Sequence, residues 1–171
     1  MISGAGAAHT GGPARVRPPA VAGTFYPGSP DSLRSAVRSA FADAVVPAAD
    51  APVPKGLVVP HAGYVYSGAI AASAYARIIP ARSTIRRVVL LGPSHRVYVR
   101  GLAVAGVDAF QTPLGIVPID ADARDVVVEL PGVRVDDRGH ADEHSLEVQL
   151  PFLQSVLDEF VLLPFSVGDA T

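Results

Sequence analysis

Gly56-Leu57-Val58-Val59-Pro60-His61-Ala62-Gly63-Tyr64 and Val88-Val89-Leu90-Leu91-Gly92-Pro93-Ser94-His95 decide the fold. Each begins with a short apolar run, Gly56 to Val59 and Val88 to Leu91, with the character of a strand buried on both faces. Each run ends in a loop carrying a proline and a histidine. Between them Ser67 to Ile79 is Ala-rich and stopped by Pro80, which predicts a helix. Strand, helix, strand is the repeating unit of a parallel sheet.

Working outward from this unit, Ser29-Pro30-Asp31 marks a helix start. Ser29 caps, Pro30 suits the first helical position and Asp31 complements the helix dipole. Leu33, Val37, Ala40, Phe41 and Ala44 share the apolar face of that helix. Upstream, Arg17-Pro18-Pro19 leads into an extended stretch, Ala20 to Tyr26; Pro47 to Pro54 is a linker. Residues 1–14 are Gly/Ala/Thr-rich without periodicity and predict a disordered tail, leaving 15–171 as one domain.

Downstream, Leu102 to Val107 and Ile116 to Ile119 are further strand candidates, and Asp120 to Leu130 predicts a helix. Glu143 to Phe160 reads as mostly helical, kinked or broken at Pro151, and Phe160 to Val167 as a last strand. The expected fold is α/β, a mainly parallel sheet flanked by helices. A helix normally covers such a last strand, so the fold is expected to be incomplete at the C-terminus.

Composition narrows the function. Half of the 171 residues are hydrophobic (49%), too many for a disordered chain. With no Cys, these residues hold no disulfide scaffold, Cys-zinc site or Cys nucleophile. A net charge of −2 argues against a dedicated nucleic-acid binder. The charge is uneven: residues 51–107 carry 7 basic and no acidic groups, residues 108–171 carry 3 basic and 13 acidic. Mutual neutralisation in the folded chain is the simpler reading, and an anion-attracting middle segment the sharper one. Residues 56–76 carry no charge but are interrupted by Pro60, His61, Gly63, Ser67 and Gly68, so they read as strand, loop and helix rather than a membrane span. The N-terminus has no basic start or apolar core of an export signal, so a soluble cytoplasmic protein without a membrane partner is expected.

Ligands of open parallel sheets bind beyond the carboxyl ends of the strands. His61 and His95 fall there, so both rings are expected in one crevice. Imidazole ligates Fe, Cu and Zn and is a general acid or base near neutral pH. Asp142-Glu143-His144-Ser145-Leu146-Glu147-Val148-Gln149-Leu150-Pro151 is the third candidate segment. Asp142 is a plausible cap, and Glu143 and Glu147 would lie one turn apart on a helix with His144 beside them. One carboxylate with two histidines suits a non-haem iron triad, while acids in a first turn also simply complement the dipole. His140 reads as a loop residue. Tyr64 is a candidate lining residue, or a packing residue; Ser94 sits beside His95, without the GxSxG elbow of a serine hydrolase. Arg96 and Arg100 are positioned to bind a carboxylate or phosphate.

Five motifs, Val21-Ala22-Gly23-Thr24-Phe25-Tyr26-Pro27, Pro60-His61-Ala62-Gly63-Tyr64, Gly92-Pro93-Ser94-His95, Thr112-Pro113-Leu114-Gly115 and Glu143 to Pro151, together resemble the MEMO family, whose prokaryotic members are called AmmeMemoRadiSam system protein B. The resemblance runs from about Arg17 to Gly168 and implies a fold like the class III extradiol (LigB-type) non-haem iron dioxygenases. It implies a histidine-lined pocket in which His61 and His95 hold Fe(II) or Cu. Tyr64, Ser94 and Arg96 are expected to contact ligand, with catalytic roles for His144, as proton shuttle, and Glu143. A radical-SAM protein and an AMMECR-type domain protein are the partners implied. Family members continue into a Ser-Ser-Asp segment, a nearby His and later a pocket Cys, so this chain matches the N-terminal portion of the family. Any activity would be that of a metal-dependent, dioxygenase-like oxidoreductase, expected to be lacking in these 171 residues alone. The alternative is a non-enzymatic adaptor that uses a relict pocket to bind a peptide or anionic ligand.

Overall fold

The computed structural model describes residues 14–48 and 50–169. Of the predicted tail, only Ala14 lies within them. In chain order the elements are β1 (Val16–Arg17), α1 (Pro30–Ala42), α2 (Tyr64–Ala76), β2 (Arg87–Pro93), β3 (Leu102–Val104), β4 (Ala109–Thr112), β5 (Gly115–Pro118), α3 (Ala121–Val127), β6 (Val133–Val135), α4 (Arg138–Ala141), α5 (Leu150–Val156) and β7 (Val161–Val167). Single 3-10 turns occupy Ile79–Ala81 and Glu147–Gln149. Among the described residues no helix is long and apolar enough to cross a membrane.

The chain is a mixed α/β fold with two sheets. The larger has the order β2-β7-β3-β6, and the smaller β1-β4-β5. Pairings β2–β7, β3–β6 and β1–β4 are parallel; β3–β7 and β4–β5 are antiparallel. β7 is apolar along its length because both of its faces are covered. Leu162 enters the main core, with α1, α2 and α5, while Leu163 and Phe165 enter a smaller cluster with Val104, beneath α3. Helix α1 starts as its sequence directs: the Ser29 hydroxyl accepts from Ser32 N at 3.3 Å, Pro30 follows, and Leu33 and Val37 are buried. Asp120 caps α3 through Ala123 N at 3.0 Å and pairs with Arg87 of β2.

Five expectations need correction. Residues 57–60 form no ladder, although Leu57 and Val59 pack on the main core. An apolar run is a strand only where a neighbour pairs with it, and these residues have no ladder partner among the described residues. Helix α2 begins at Tyr64 rather than Ser67, because Gly63 serves as its cap. Residues 143–160 are not one helix: a turn precedes the 3-10 segment, and Pro151 opens α5 rather than kinking a longer helix. Asp142 consequently closes α4 instead of capping a helix ahead of it. His140 sits in α4 and is buried, not a surface loop residue.

β1 carries Arg17 into the interior. Its Nη1 donates to Glu147 Oε2 at 2.6 Å, Nε to His140 O at 2.7 Å and Nη2 to Glu143 O at 2.7 Å. Glu147, with no exposed surface, also accepts from Ala20 N at 2.8 Å, Val21 N at 3.0 Å and the Tyr26 hydroxyl at 2.5 Å. Burial, and then the bond to Glu147, pushes the Tyr26 hydroxyl well above its ordinary range. Glu147 is therefore a structural centre rather than a site carboxylate. Replacing Glu147 with Ala strands Arg17 in the interior and should cost about 3–5 kcal/mol in urea denaturation. A loss below about 1 kcal/mol would show that solvent reaches the pair.

His140 supplies a pH signature. Its Nε2–H donates to Ala103 O at 3.0 Å, and its buried Nδ1 has no protein partner. Burial lowers its pKa from 6.5 to about 4. The unfolded chain therefore binds the extra proton first, so this contribution is present above pH 6.5 and is lost as pH falls toward 4. Stability should drop by on the order of 3 kcal/mol across that window. In His140→Gln, which keeps an N–H for Ala103, denaturation midpoints should be flatter over the same range.

Candidate metal centre

Three loops bring three imidazoles together. His61 follows the extended run 57–60, where Gln149 Nε2 donates to Pro60 O at 3.0 Å. His95 follows β2 in a loop tied by Ser94 N to Val167 O at 2.8 Å and the Ser94 hydroxyl to Val97 O at 2.5 Å. His144 stands in the turn between α4 and the 3-10 segment. β2 meets this turn closely: a Cβ on Gly92 would lie 2.7 Å from Ser145 Oγ and 2.9 Å from Leu146 Cδ2. The Ser145 hydroxyl then closes the contact, donating to Pro93 O at 2.8 Å.

Ring centroids are 5.3 Å apart for His61 and His95, 5.8 Å for His61 and His144, and 4.7 Å for His95 and His144. One ring nitrogen from each lies within 4.8 Å of the others, so the three can hold one metal ion. The donor set is chemically consistent, since neutral imidazoles suit Fe, Cu and Zn.

Glu143 organises the cluster. Its Oε2 accepts from His95 N at 2.5 Å, and its Oε1 from His144 N and Ser145 N at 2.9 Å each. Oε1 also lies 3.0 Å from His95 Nδ1, which makes Nδ1 the protonated nitrogen and leaves Nε2 with its lone pair. Burial alone would raise Glu143, but the bonds from His95 N, the His95 ring and Ser145 N outweigh it and hold the carboxyl at about 2. With both oxygens engaged, Glu143 orients histidines rather than facing a metal directly. His144 Nδ1 lies 3.2 Å from Glu143 Oε1 but makes no hydrogen bond. The His144 pKa is lowered, first by burial; Glu143 opposes this, and the charges of His95, His61 and Arg96 add to it. The ring is therefore kept neutral, as a ligand must be.

The structure thus gathers His61, His95, His144 and Glu143. Tyr64 lies just behind them, its hydroxyl donating to Val148 O at 2.8 Å and its ring against Tyr26 and Phe152. Burial pushes that hydroxyl far above its usual range. The Ser94 hydroxyl is engaged with the loop backbone, and Arg96 is exposed beside His95. Sequence reasoning missed Phe25, whose ring lies 4.5 Å from that of His144. Its only sequence signal was membership of the motif Val21 to Pro27. An open cleft of about 660 Å³, walled by Phe25, Pro60, Val65 and Tyr66, leads to His61 and His144.

An α/β domain with three converging imidazoles at its loop ends is a metal-capable scaffold, and sequence comparison assigns it a family. The sequence model of the Memo-like protein family matches residues 17–171. A MEMO1 family protein of Aquifex aeolicus is 43% identical over 155 residues, covering 90% of this chain and 55% of the relative. One from Methanosarcina barkeri is 44% identical over 156 residues, with 90% and 55% covered. One from Methanopyrus kandleri is 43% identical over 151 residues, with 84% and 53% covered. The chain belongs to the Memo-like family, and it spans about half the length of these relatives.

If Glu143 fixes the His95 tautomer, Glu143→Ala should release it. Ring correlations in nitrogen-15 NMR should change from a single Nδ1–H form to a mixture. An unchanged tautomer would mean that something other than Glu143 holds the ring.

Proposed function

We propose that this chain supplies the histidine face of a transition-metal site, with His61, His95 and His144 as ligands and Glu143 as their orienting carboxylate. The observation that carries the reading is the convergence of three ring nitrogens within 4.8 Å. Glu143 keeps a proton on His95 Nδ1 and so presents the opposite nitrogen; Phe25 packs against His144 with the two rings tilted by 41°. A bound Fe or Cu would supply one-electron chemistry at the cleft. In this reading the protein acts in a redox or radical-linked system, alongside a radical-SAM protein and an AMMECR-type domain protein, in the cytoplasm. The family resemblance to LigB-type dioxygenases supports an oxidoreductase role for the whole protein; with His144 among the ligands, its ring holds the metal and is not the proton shuttle.

A second reading, a non-enzymatic binding module, draws on the apolar walls of the cleft, Phe25, Pro60, Val65 and Tyr66. Calorimetric titration with Fe(II) under anaerobic conditions, and separately with Cu(II), distinguishes the two. Single changes His61→Ala, His95→Ala and His144→Ala should each weaken binding at least tenfold with little change in unfolding temperature. Equal affinity in all three variants would remove the metal reading and leave the binding module.

A further inference from the structure

One edge of the larger sheet is apolar and bare. Leu57 and Val59 face the main core, so Val58 between them points the opposite way and is fully exposed. In β2, Val88 and Leu90 face that same core, while Val89 and Leu91 are more than half exposed on the other face. Their register partners in β7, Leu163 and Phe165, are buried in the cluster beneath α3. The apolar face that α3 covers on β7 therefore continues uncovered onto β2 and residues 57–59. Leu57 and Val88–Leu90 line one shared cleft, yet residues 57–60 join no ladder, so strand-like backbone is left open at this edge.

Helix α2 adds a second surface. It is apolar on every side, the pattern of a helix enclosed all round. Ala71, Ala72 and Tyr75 are buried, but Val65, Tyr66 and Ile70 project into solvent. No charged residue occurs anywhere from 56 to 76. Solvent-facing edges and helices normally carry charge, which keeps them from associating. Here an open edge is flanked by a bare sheet face on one side and, on the core side, by a helix whose outer face is bare.

We propose that this edge, with the bare faces on either side of it, is where the unmatched part of a Memo-like protein docks, contributing a strand beside residues 57–59 and helices on both sides of the sheet, over Val89 and Leu91 and over the outer side of α2. The inference is independent of any metal. It rests on the bare surface and on the fact that the Aquifex aeolicus relative has a little under half of its length unmatched by this chain. The occupant must supply both a strand and helices, as an α/β polypeptide does. A second copy of this chain related by a two-fold axis can pair its edge or stack its bare face, not both at once.

The test adds the separately expressed unmatched part of the Aquifex aeolicus relative to this chain, with light scattering to read stoichiometry and hydrogen exchange to read the surface. A one-to-one complex is expected, with amides 57–59 and 65–70 slowed at least tenfold. Val58→Asp and Ile70→Glu should each weaken the complex at least tenfold while leaving the circular dichroism of the free chain unchanged. A single-chain fusion of the two parts through a flexible linker covers the case in which the added part does not fold alone. Amides 57–59 that exchange in the fusion as fast as in the free chain would overturn the proposal. So would a complex indifferent to both substitutions, or a homodimer of this chain that protects the same residues.

Discussion

The Arg17–Glu147 pair is the constraint on which the arrangement depends. A carboxylate with no exposure is tolerated only when its lone pairs are filled, and Glu147 has Arg17, Tyr26 and two backbone amides to fill them. The guanidinium in turn spends its other donors on the carbonyls of His140 and Glu143. Two segments 130 residues apart in sequence are thereby held in one geometry. One of them carries Phe25 and the other Glu143 and His144, so the pair aligns both walls of the histidine cluster. Such a pair specifies a structure more than it stabilises one, since apolar groups of the same shape would avoid the desolvation cost.

The layers of the fold were legible where local chemistry sufficed. β2 and β7 were both legible as apolar runs, but only β7 is covered on both faces, whereas the expected burial of β2 holds on its core side alone; α1 and α3 begin at side-chain caps. Legibility failed where the outcome depends on something beyond the segment. Residues 56–59 have strand composition, but strand status is a property of a pair. From 143 onward, the helical reading held for 147–156 and failed at the start for a local reason. The Glu143 carboxylate takes the amides of His144 and Ser145, an alternative to helical hydrogen bonding that the spacing of Glu143 and Glu147 does not announce. The two acids that helical spacing would place on one face are thus separated, one to orient histidines and the other to anchor Arg17.

The candidate site was legible as residue types and not as a geometry. Two histidines after apolar runs marked the loop ends, and the Memo-like resemblance pointed to the family that the comparisons show. That His144 would complete a trio, and that Phe25 would pack against it, follows from contacts between segments distant in sequence. The electrostatics are environmental too: burial works against charge on His144, while Glu143, itself held ionised, engages Nδ1 of His95.

The separation of 130 residues between Arg17 and Glu147 also has a meaning in time. On the ribosome, His61 and His95 emerge while the anchor for Arg17 is still unsynthesised, and the third imidazole arrives almost together with Glu147. A contact of such long range closes late, after loop-closure entropy has been overcome. The three imidazoles are therefore brought together only after residue 147 has been made and this contact has closed.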